Sequence, residues 1–191
     1  MPLTAIDPVT ALIVIDLQKG ILAVPTAHPV DVVVRNAADL ATAFRAHGLP
    51  VVLVTVAGGA PGRTDADQGS SPRPTFSPDF TDLVAELDVQ PEDHLVTKQR
   101  WGAFTGTSLH DHLASLGVTE VVLTGVATSS GVESTARFAH ELGYHVVLAT
   151  DAMTDRDADA HDHSLQRVLP RLGETARTAE VLDLLTTSRA G

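Results

Sequence analysis

The chain has 191 residues, 43% of them apolar and 4% aromatic, so a single domain with an aliphatic core is expected over residues 1–191. It contains no cysteine, which excludes disulfides, thiolate metal sites and catalysis by a thiol. A formal net charge of −11 disfavours nucleic acid and anionic membranes as partners, and the sequence shows neither an apolar membrane span nor a signal peptide, which predicts a cytoplasmic protein.

Five short apolar runs are predicted to form β-strands. They cover residues 11–15, 51–56, 95–97, 121–124 and 146–149. Each run is rich in β-branched residues and apolar at most positions, which is typical of parallel strands buried on both faces of a sheet.

Segments with helical periodicity alternate with these runs. The predicted helices cover residues 33–44, 109–116, 132–142 and 165–169. A glycine follows each of the first three, as is common beyond a helix C-terminus, and Pro170 is expected to end or kink the fourth. Because repeated βα units connect through right-handed crossovers, the pattern predicts an α/β fold with a mainly parallel sheet covered by helices on both sides.

The segment 57–78 is predicted to be a long loop after the second strand. It is rich in Gly, Pro and Ser, but it does not divide the chain into two domains. Loops of this length in compact domains are usually functional or mobile.

Three chemically active features fall at predicted carboxyl ends of strands, where open parallel sheets bind their ligands. Asp16 follows the first strand, and Lys98 follows the third. The fourth strand runs into residues 125–133, GVATSSGVE, a strand-to-helix turn that we call the elbow.

These features suit acid–base chemistry. A carboxylate and an amine in a partly desolvated pocket can hold each other charged and shift each other's pKa. The N–H groups of the elbow lie at a predicted helix N-terminus, where they can bind an anion or a developing oxyanion. Gly131 allows a ligand to approach the backbone closely.

Structural roles compete with these chemical ones. An aspartate that follows a parallel strand is often a loop or capping residue. Ser130 is a candidate nucleophile, but Ser130 and Glu133 match a helix capping box, and we favour the capping interpretation.

Metal and dinucleotide sites are both disfavoured. The pairs His110/His112 and His161/His163 have a spacing that points the two rings to different faces of a helix, so a shared metal is not expected. His161 lies on an apolar stripe, four residues before Leu165, which predicts a half-buried packing histidine. Residues 16–20, DLQKG, bear no similarity to the Gly-x-Gly-x-x-Gly loop of dinucleotide sites.

In their order and spacing, these segments resemble the isochorismatase-like hydrolase family over most of the chain. Asp16-x-Gln18 resembles the family's first catalytic signature, and residues 97–104, TKQRWGAF, resemble its lysine segment. Residues 125–136, GVATSSGVESTA, resemble the turn that normally carries the nucleophile.

The resemblance implies a three-layer α/β/α, Rossmann-like fold, a small-molecule substrate and a homo-oligomer. It also implies that Asp16 transfers protons, that Lys98 is its electrostatic partner, and that a cis peptide occurs near residues 126–127. No cofactor and no metal are expected, because the loop after Val56 lacks the Asp and His ligands of the family's nicotinamidase metal site. The substrate-binding residues that the resemblance implies are Gln18, Arg100, Trp101, Phe104, Ala127, Thr128, Ser129 and Ser130.

The chain departs from the family's cysteine hydrolases at Gly131, which stands where they carry the thiol and so closes the covalent thioester route. True isochorismatases also have glycine there: an acid protonates the carbon of a vinyl ether, and water completes the hydrolysis. Asp16 would be that acid, which requires a raised pKa. Ala127 and Trp101 stand where true isochorismatases have tyrosine, so the outline of the pocket differs.

Three functional hypotheses follow. The leading one is a thiol-independent hydrolase of a small, carboxylate-bearing metabolite, with vinyl-ether cleavage favoured. The second is hydrolysis of an amide or ureide C–N bond, with Ser129, Ser130 or an activated water in place of the thiol. The third is a small-molecule-binding protein without catalytic activity. The leading hypothesis predicts that Asp16 and Lys98 lie roughly 3 to 4 Å apart and line one cavity.

Overall fold

A computed structural model describes residues 3–60, 62–65 and 76–188, and within them six strands form one sheet. The strands are β1 (Thr10–Ile15), β2 (Val51–Val56), β3 (His94–Lys98), β4 (Glu120–Val126), β5 (His145–Thr154) and β6 (Glu174–Ala176). Their order in the sheet is β3-β2-β1-β4-β5-β6, and each neighbouring pair is parallel. The predicted Rossmann-like sheet is therefore confirmed.

Helices cover both faces of this sheet. They are α1 (Lys19–Leu22), α2 (Val30–Ala46), α3 (Leu109–Ser115), α4 (Glu133–Glu141), α5 (Ala158–His163) and α6 (Thr178–Ser188). Helices α2 and α6 contribute to the core on one face, whereas α3 and α4 contribute to the core on the other. The three-layer α/β/α architecture is confirmed.

Strand β1 shows why the apolar runs identify the strands. Leu12 and Val14 point into the core beneath α2 and α6, and Ala11, Ile13 and Ile15 point into the core beneath α3 and α4. Because successive side chains of a strand alternate between faces, a strand between two cores is apolar at most positions.

Some elements differ from the predicted ones. The sequence patterns do not predict β6 or α6. Strand β6 has three residues, lies at the edge of the sheet and carries no apolar run. The fourth predicted helix begins earlier, at α5, and continues through a π-helical segment (Ser164–Val168) into a 3₁₀ turn (Leu169–Arg171). Pro170 lies in that turn and ends the helix, as predicted.

The strand order reverses between β1 and β4, which are neighbours at the centre of the sheet. In open parallel sheets, a crevice forms beyond the carboxyl ends of the strands at such a switch point. Asp16 follows β1 and the elbow follows β4, so the fold brings both predicted features to this position.

The predicted long loop, residues 57–78, lies partly outside the described residues, which omit 61 and 66–75. Just beyond this loop, an isolated antiparallel bridge pairs Gln18 with Leu83. Among the helices of the described ranges, none has the length and apolar character to cross a membrane.

Candidate functional site

Asp16 and Lys98 form a buried ion pair. Lys98 Nζ donates a hydrogen bond of 2.7 Å to Asp16 Oδ2, and the two side chains are 7% (Asp16) and 2% (Lys98) exposed. The predicted separation of the two groups is confirmed. That they line a substrate cavity remains a prediction.

The backbone at the ends of β1 and β3 makes this pair possible. Asp16 has a φ of 52°, in the left-handed region, and its N–H donates to Val54 O at 2.9 Å. Strand β2 separates β1 from β3, so the two backbones are roughly 10 Å apart. Only a side chain as long as that of Lys98 can cross this gap and still reach the carboxylate.

The carboxyl group of Asp16 is suited to proton transfer. Burial raises its pKa from 3.8 to about 6, whereas the charge and hydrogen bond of Lys98 act in the opposite direction. Oδ1 of Asp16 is buried and has no hydrogen-bond partner in the described residues. An unpaired buried carboxyl oxygen is unusual in folded proteins, and a role of Oδ1 in proton transfer remains a prediction.

Gly131 lies directly beside this carboxyl group. A β-carbon at position 131 would lie 3.3 Å from Asp16 Oδ2 and 3.1 Å from Ile15 Cγ2. The position that the family resemblance equates with the thiol of cysteine hydrolases therefore lies beside Asp16, and no side chain of residue 131 stands between the backbone and the carboxyl group.

The elbow reaches this position through an irregular backbone. The Val126–Ala127 peptide bond is cis, as the family resemblance implies. Gly125 has a φ of 121°, and a β-carbon there would collide with the carbonyl of Ile15 at 2.0 Å. Residues Thr128–Val132 form a π-helical turn that leads into α4, so the helix begins earlier than predicted.

The predicted capping box is wrong. The start of α4 has no side-chain cap, and Glu133 instead bonds to Arg137 and to the hydroxyl of Ser164. The Ser130 hydroxyl makes no hydrogen bond within the described residues. The π-helical turn moves Ser130 into the helix itself, where it cannot occupy the N-cap position.

Asp155, which the sequence analysis missed, takes over the capping of the elbow. Its Oδ2 accepts hydrogen bonds from both the N–H and the hydroxyl of Ser129, each at 2.7 Å. The N–H groups of Ser130 and Val132 donate to the carbonyl of Ala127. Three of the N–H groups expected to bind an anion are therefore already bonded. The position of Asp155 immediately after β5 is the sequence signal that could have identified it.

Thr128 contacts a histidine from another element. Its hydroxyl lies 2.8 Å from Nδ1 of His161, and both residues are buried. Burial, followed by the neighbouring His28, lowers the pKa of His161. The packing role predicted for His161 is thus confirmed, although the side chain is buried and not half-buried. Its contact with the elbow is an additional finding.

Gln18 is engaged with the backbone at the end of β2. Its Oε1 accepts from the Val56 N–H at 2.7 Å, and its Nε2 donates to the carbonyls of Val56 and Phe80. This buried amide joins the segment that follows β1 to the end of β2 and to Phe80. A contact between Gln18 and substrate remains a prediction.

The remaining predicted substrate residues occupy different environments. Trp101 is 64% exposed, Phe104 is buried in the core beneath α3 and α4, and Ala127 is partly buried. Arg100 donates to the carbonyls of Gly59 and Gln99. Within the described part of the chain it pairs with no carboxylate, so it is available to an anionic ligand.

No group of three or more His, Asp or Glu side chains in the described ranges is arranged to hold a metal ion. A cavity of about 490 Å³ lies at the opposite, amino-terminal edge of the sheet. Glu120, Tyr144 and His145 contribute to its lining, and it contains none of the predicted site residues.

Comparison with known proteins agrees with this fold. Residues 10–180 match the family model of the isochorismatase domain, so the chain belongs to the isochorismatase family of hydrolases. It is similar to the isochorismatase family protein YwoC of Bacillus subtilis (strain 168), with 41% identity over 181 residues, which cover 91% of this chain and 93% of YwoC. It is also similar to the structure of an isochorismatase family protein from Burkholderia thailandensis, with a TM-score of 0.89, 41% identity, and coverage of 95% of this chain and 98% of that one.

Two relatives with named activities are a hydrolase and an amidase. The streptothricin hydrolase of Streptomyces noursei is 36% identical over 160 residues, which cover 82% of this chain and 58% of that enzyme. The structure of N-carbamoylsarcosine amidase from Thermoplasma acidophilum is similar at a TM-score of 0.71 and 26% identity, and the match covers 89% of this chain and 96% of that one.

Proposed function

We propose that this protein hydrolyses a small, carboxylate-bearing metabolite without a protein nucleophile, and that the bond it cleaves is a vinyl ether. The observation that carries this proposal is the arrangement of Asp16, a buried acid with a raised pKa, beside the bare backbone of Gly131.

In this reaction Asp16 donates its proton from Oδ1 to the terminal carbon of the vinyl ether. The substrate becomes an oxocarbenium ion, and water adds to it to form a hemiketal. Collapse of the hemiketal releases a ketone and an alcohol, and the proton released in these steps returns to Asp16. Lys98 stabilises the carboxylate that exists between the two proton transfers.

The charge of the site supports an anionic substrate. Arg100 follows Lys98 by two residues and has no carboxylate partner within the described ranges. A guanidinium group recognises a carboxylate through two parallel hydrogen bonds. The substrate would have to bind through such a local cation, because the protein as a whole is acidic, with a formal charge of −11.

Hydrolysis of a C–N bond is the second candidate. The named activity of the amidase relative favours it, as does the Ser129 hydroxyl, which donates to the Asp155 carboxylate at 2.7 Å. Such a carboxylate could accept the proton of an attacking hydroxyl group. The two bonds that hold Ser129 to Asp155, however, also restrain it from moving toward a substrate.

A panel of enol ethers, amides and ureides assayed with the wild type, Asp16→Asn and the control Asp82→Asn tests the proposal. Asp82 forms an exposed ion pair with Lys19, so the control removes a carboxylate outside the site. We expect enol-ether turnover in the wild type and the control, and a loss of roughly 10²- to 10⁴-fold in Asp16→Asn, because an amide cannot donate the proton. Turnover of amides alone would favour the second candidate, and binding without turnover would favour a non-catalytic protein.

A further inference from the structure

We propose that Asp155 and His161 are positioning residues that hold the elbow, and with it Gly131, against Asp16. This inference rests on the proposed function, because it concerns the geometry of the same proton-transfer site. Neither residue is required to touch the substrate.

Asp155 anchors the elbow through two hydrogen bonds to one residue. It is buried just beyond the end of β5, and its Oδ2 accepts from both the N–H and the hydroxyl of Ser129. Its Oδ1 accepts from the N–H of Arg156 at 2.7 Å, so the carboxylate is itself held in place. Hydrogen bonds to a buried charged group are among the stronger ones in proteins, which makes this a stiff attachment.

His161 anchors the neighbouring residue of the elbow. Its Nδ1 lies 2.8 Å from the hydroxyl of Thr128, and neither side chain is accessible to solvent to a significant degree. The two attachments therefore hold consecutive residues of the elbow, Thr128 and Ser129. Both come from the chain that follows β5.

The same attachment point also restrains the connection between α1 and α2. The Ala27 N–H donates to the main-chain carbonyl of Asp155 at 2.7 Å. The His28 ring lies 4.6 Å from the ring of His161, and its Nδ1 is 3.0 Å from the hydroxyl of Thr154. Two loops at the carboxyl edge are thus fixed to one short segment, residues 154–161.

These attachments hold the backbone of Gly131, which has no side chain, in place beside Asp16. The bare backbone of Gly131 stays beside Asp16 only if it keeps its place, and a β-carbon there would be 3.3 Å from the carboxylate. Gly131 has no side chain with which to anchor itself. Thr128 and Ser129, in the same π-helical turn, provide the anchors instead.

The test is a ¹³C NMR titration of the Asp16 carboxyl carbon, assigned with Asp16→Asn, in two pairs of variants. His161→Leu and Asp155→Ala remove the attachments, whereas His161→Asn and Asp155→Asn keep a hydrogen-bonding group at the same place. We expect the first two to lower the titration midpoint of Asp16 by about half a pH unit or more, because a displaced elbow admits water to the carboxyl group. The Asn variants should have a titration midpoint close to that of the wild type.

Asp155→Asn also removes the charge of Asp155, so it separates the effect of charge from that of position. If His161→Leu does not fold, Thr128→Val removes the same contact from the side of the elbow and should give the same shift. The proposal would be overturned if folded His161→Leu, Asp155→Ala and Thr128→Val kept the wild-type midpoint of Asp16. It would also be overturned if His161→Leu and His161→Asn shifted that midpoint equally. Because this measurement needs no turnover, it stands apart from the assay of Asp16→Asn, which tests the proposed function.

Discussion

A β-carbon placed at position 131 would lie 3.3 Å from Oδ2 of Asp16, so the side chain that Gly131 lacks would point at the carboxyl group of Asp16. The family resemblance implies that the nucleophile of a cysteine hydrolase would lie in this direction. Here it leaves the acid facing backbone, which is the arrangement expected if water, and not the protein, attacks the substrate.

The pH dependence of turnover should reveal the protonation state that Asp16 uses. Burial raises its pKa to about 6, and an acid must be protonated to donate. We therefore expect kcat/KM to fall as the pH rises through about 6, measured on whichever substrate of the panel is turned over. A rate that instead increases through this range would identify Asp16 as a base and contradict the proposed mechanism.

Replacing Lys98 should raise the pH at which kcat/KM falls. The positive charge of Lys98 lowers the pKa of Asp16, so Lys98→Met should raise that pKa and shift the falling limb to higher pH. The maximal rate should drop as well, because the carboxylate left after proton donation loses its counterion. Lys19→Met is the control, since Lys19 forms an exposed pair with Asp82. An unchanged limb in Lys98→Met would show that the two groups are not coupled.

Adding one methyl group at Gly131 should impair both activity and stability. The new β-carbon would lie 3.1 Å from Ile15 Cγ2 and 3.3 Å from the Asp16 carboxylate, so its neighbours must yield by a few tenths of an ångström. We expect Gly131→Ala to cost about 1 to 3 kcal/mol of stability in denaturant unfolding and at least about tenfold in kcat/KM. Gly59→Ala is the matched control, because a β-carbon there meets nothing within 4 Å. Equal activities in the two variants would show that the space beside Asp16 is not used.

Ser130→Ala should be nearly silent. With the capping box absent and no hydrogen bond to its hydroxyl in the described residues, the substitution should change the free energy of unfolding by no more than about 0.5 kcal/mol. Turnover should persist, because no step of the proposed reaction uses a hydroxyl nucleophile. A folded but inactive Ser130→Ala, or an acyl adduct mapped by mass spectrometry to Ser129 or Ser130, would favour C–N bond hydrolysis instead.

Glu120 should make the folded protein sensitive to pH far from the proposed site. Burial raises its pKa from 4.5 to about 7, and the Asp7 N–H and nearby Thr10 oppose this only in part. A carboxyl group with a raised folded-state pKa contributes stability that is fully present below pH 4.5 and lost as the pH rises through about 7. Glu120→Gln should therefore be more stable than the wild type at pH 8, by about 2 kcal/mol, and similar to it near pH 4.

Chemical denaturation at the two pH values measures this difference. Glu86→Gln is the control, because Glu86 is exposed on the 3₁₀ turn before β3. A gain of stability at pH 8 in both variants would attribute the effect to net charge and not to burial of Glu120.

The sequence by itself determined five of the six described strands and the central pair of the site. Strands buried on both faces are apolar at most positions, so β1, β2 and β4 are visible as mainly apolar runs. Because the carboxyl ends of parallel strands meet at one edge, Asp16 and Lys98 could be paired although 82 residues separate them. Gly131 could likewise be placed beside them from the motif that contains it.

The tertiary structure alone decided which polar groups of the elbow are free. The attachments of Ser129 to Asp155 and of Thr128 to His161 join residues 26 and 33 positions apart, and no local pattern encodes either contact. Ser130 and Glu133 match the sequence of a capping box. The π-helical turn, however, shifts the start of the helix, and the capping hydrogen bonds do not form. Local spacing determines which face a residue occupies, whereas a hydrogen-bond partner depends on which distant segment packs against that face.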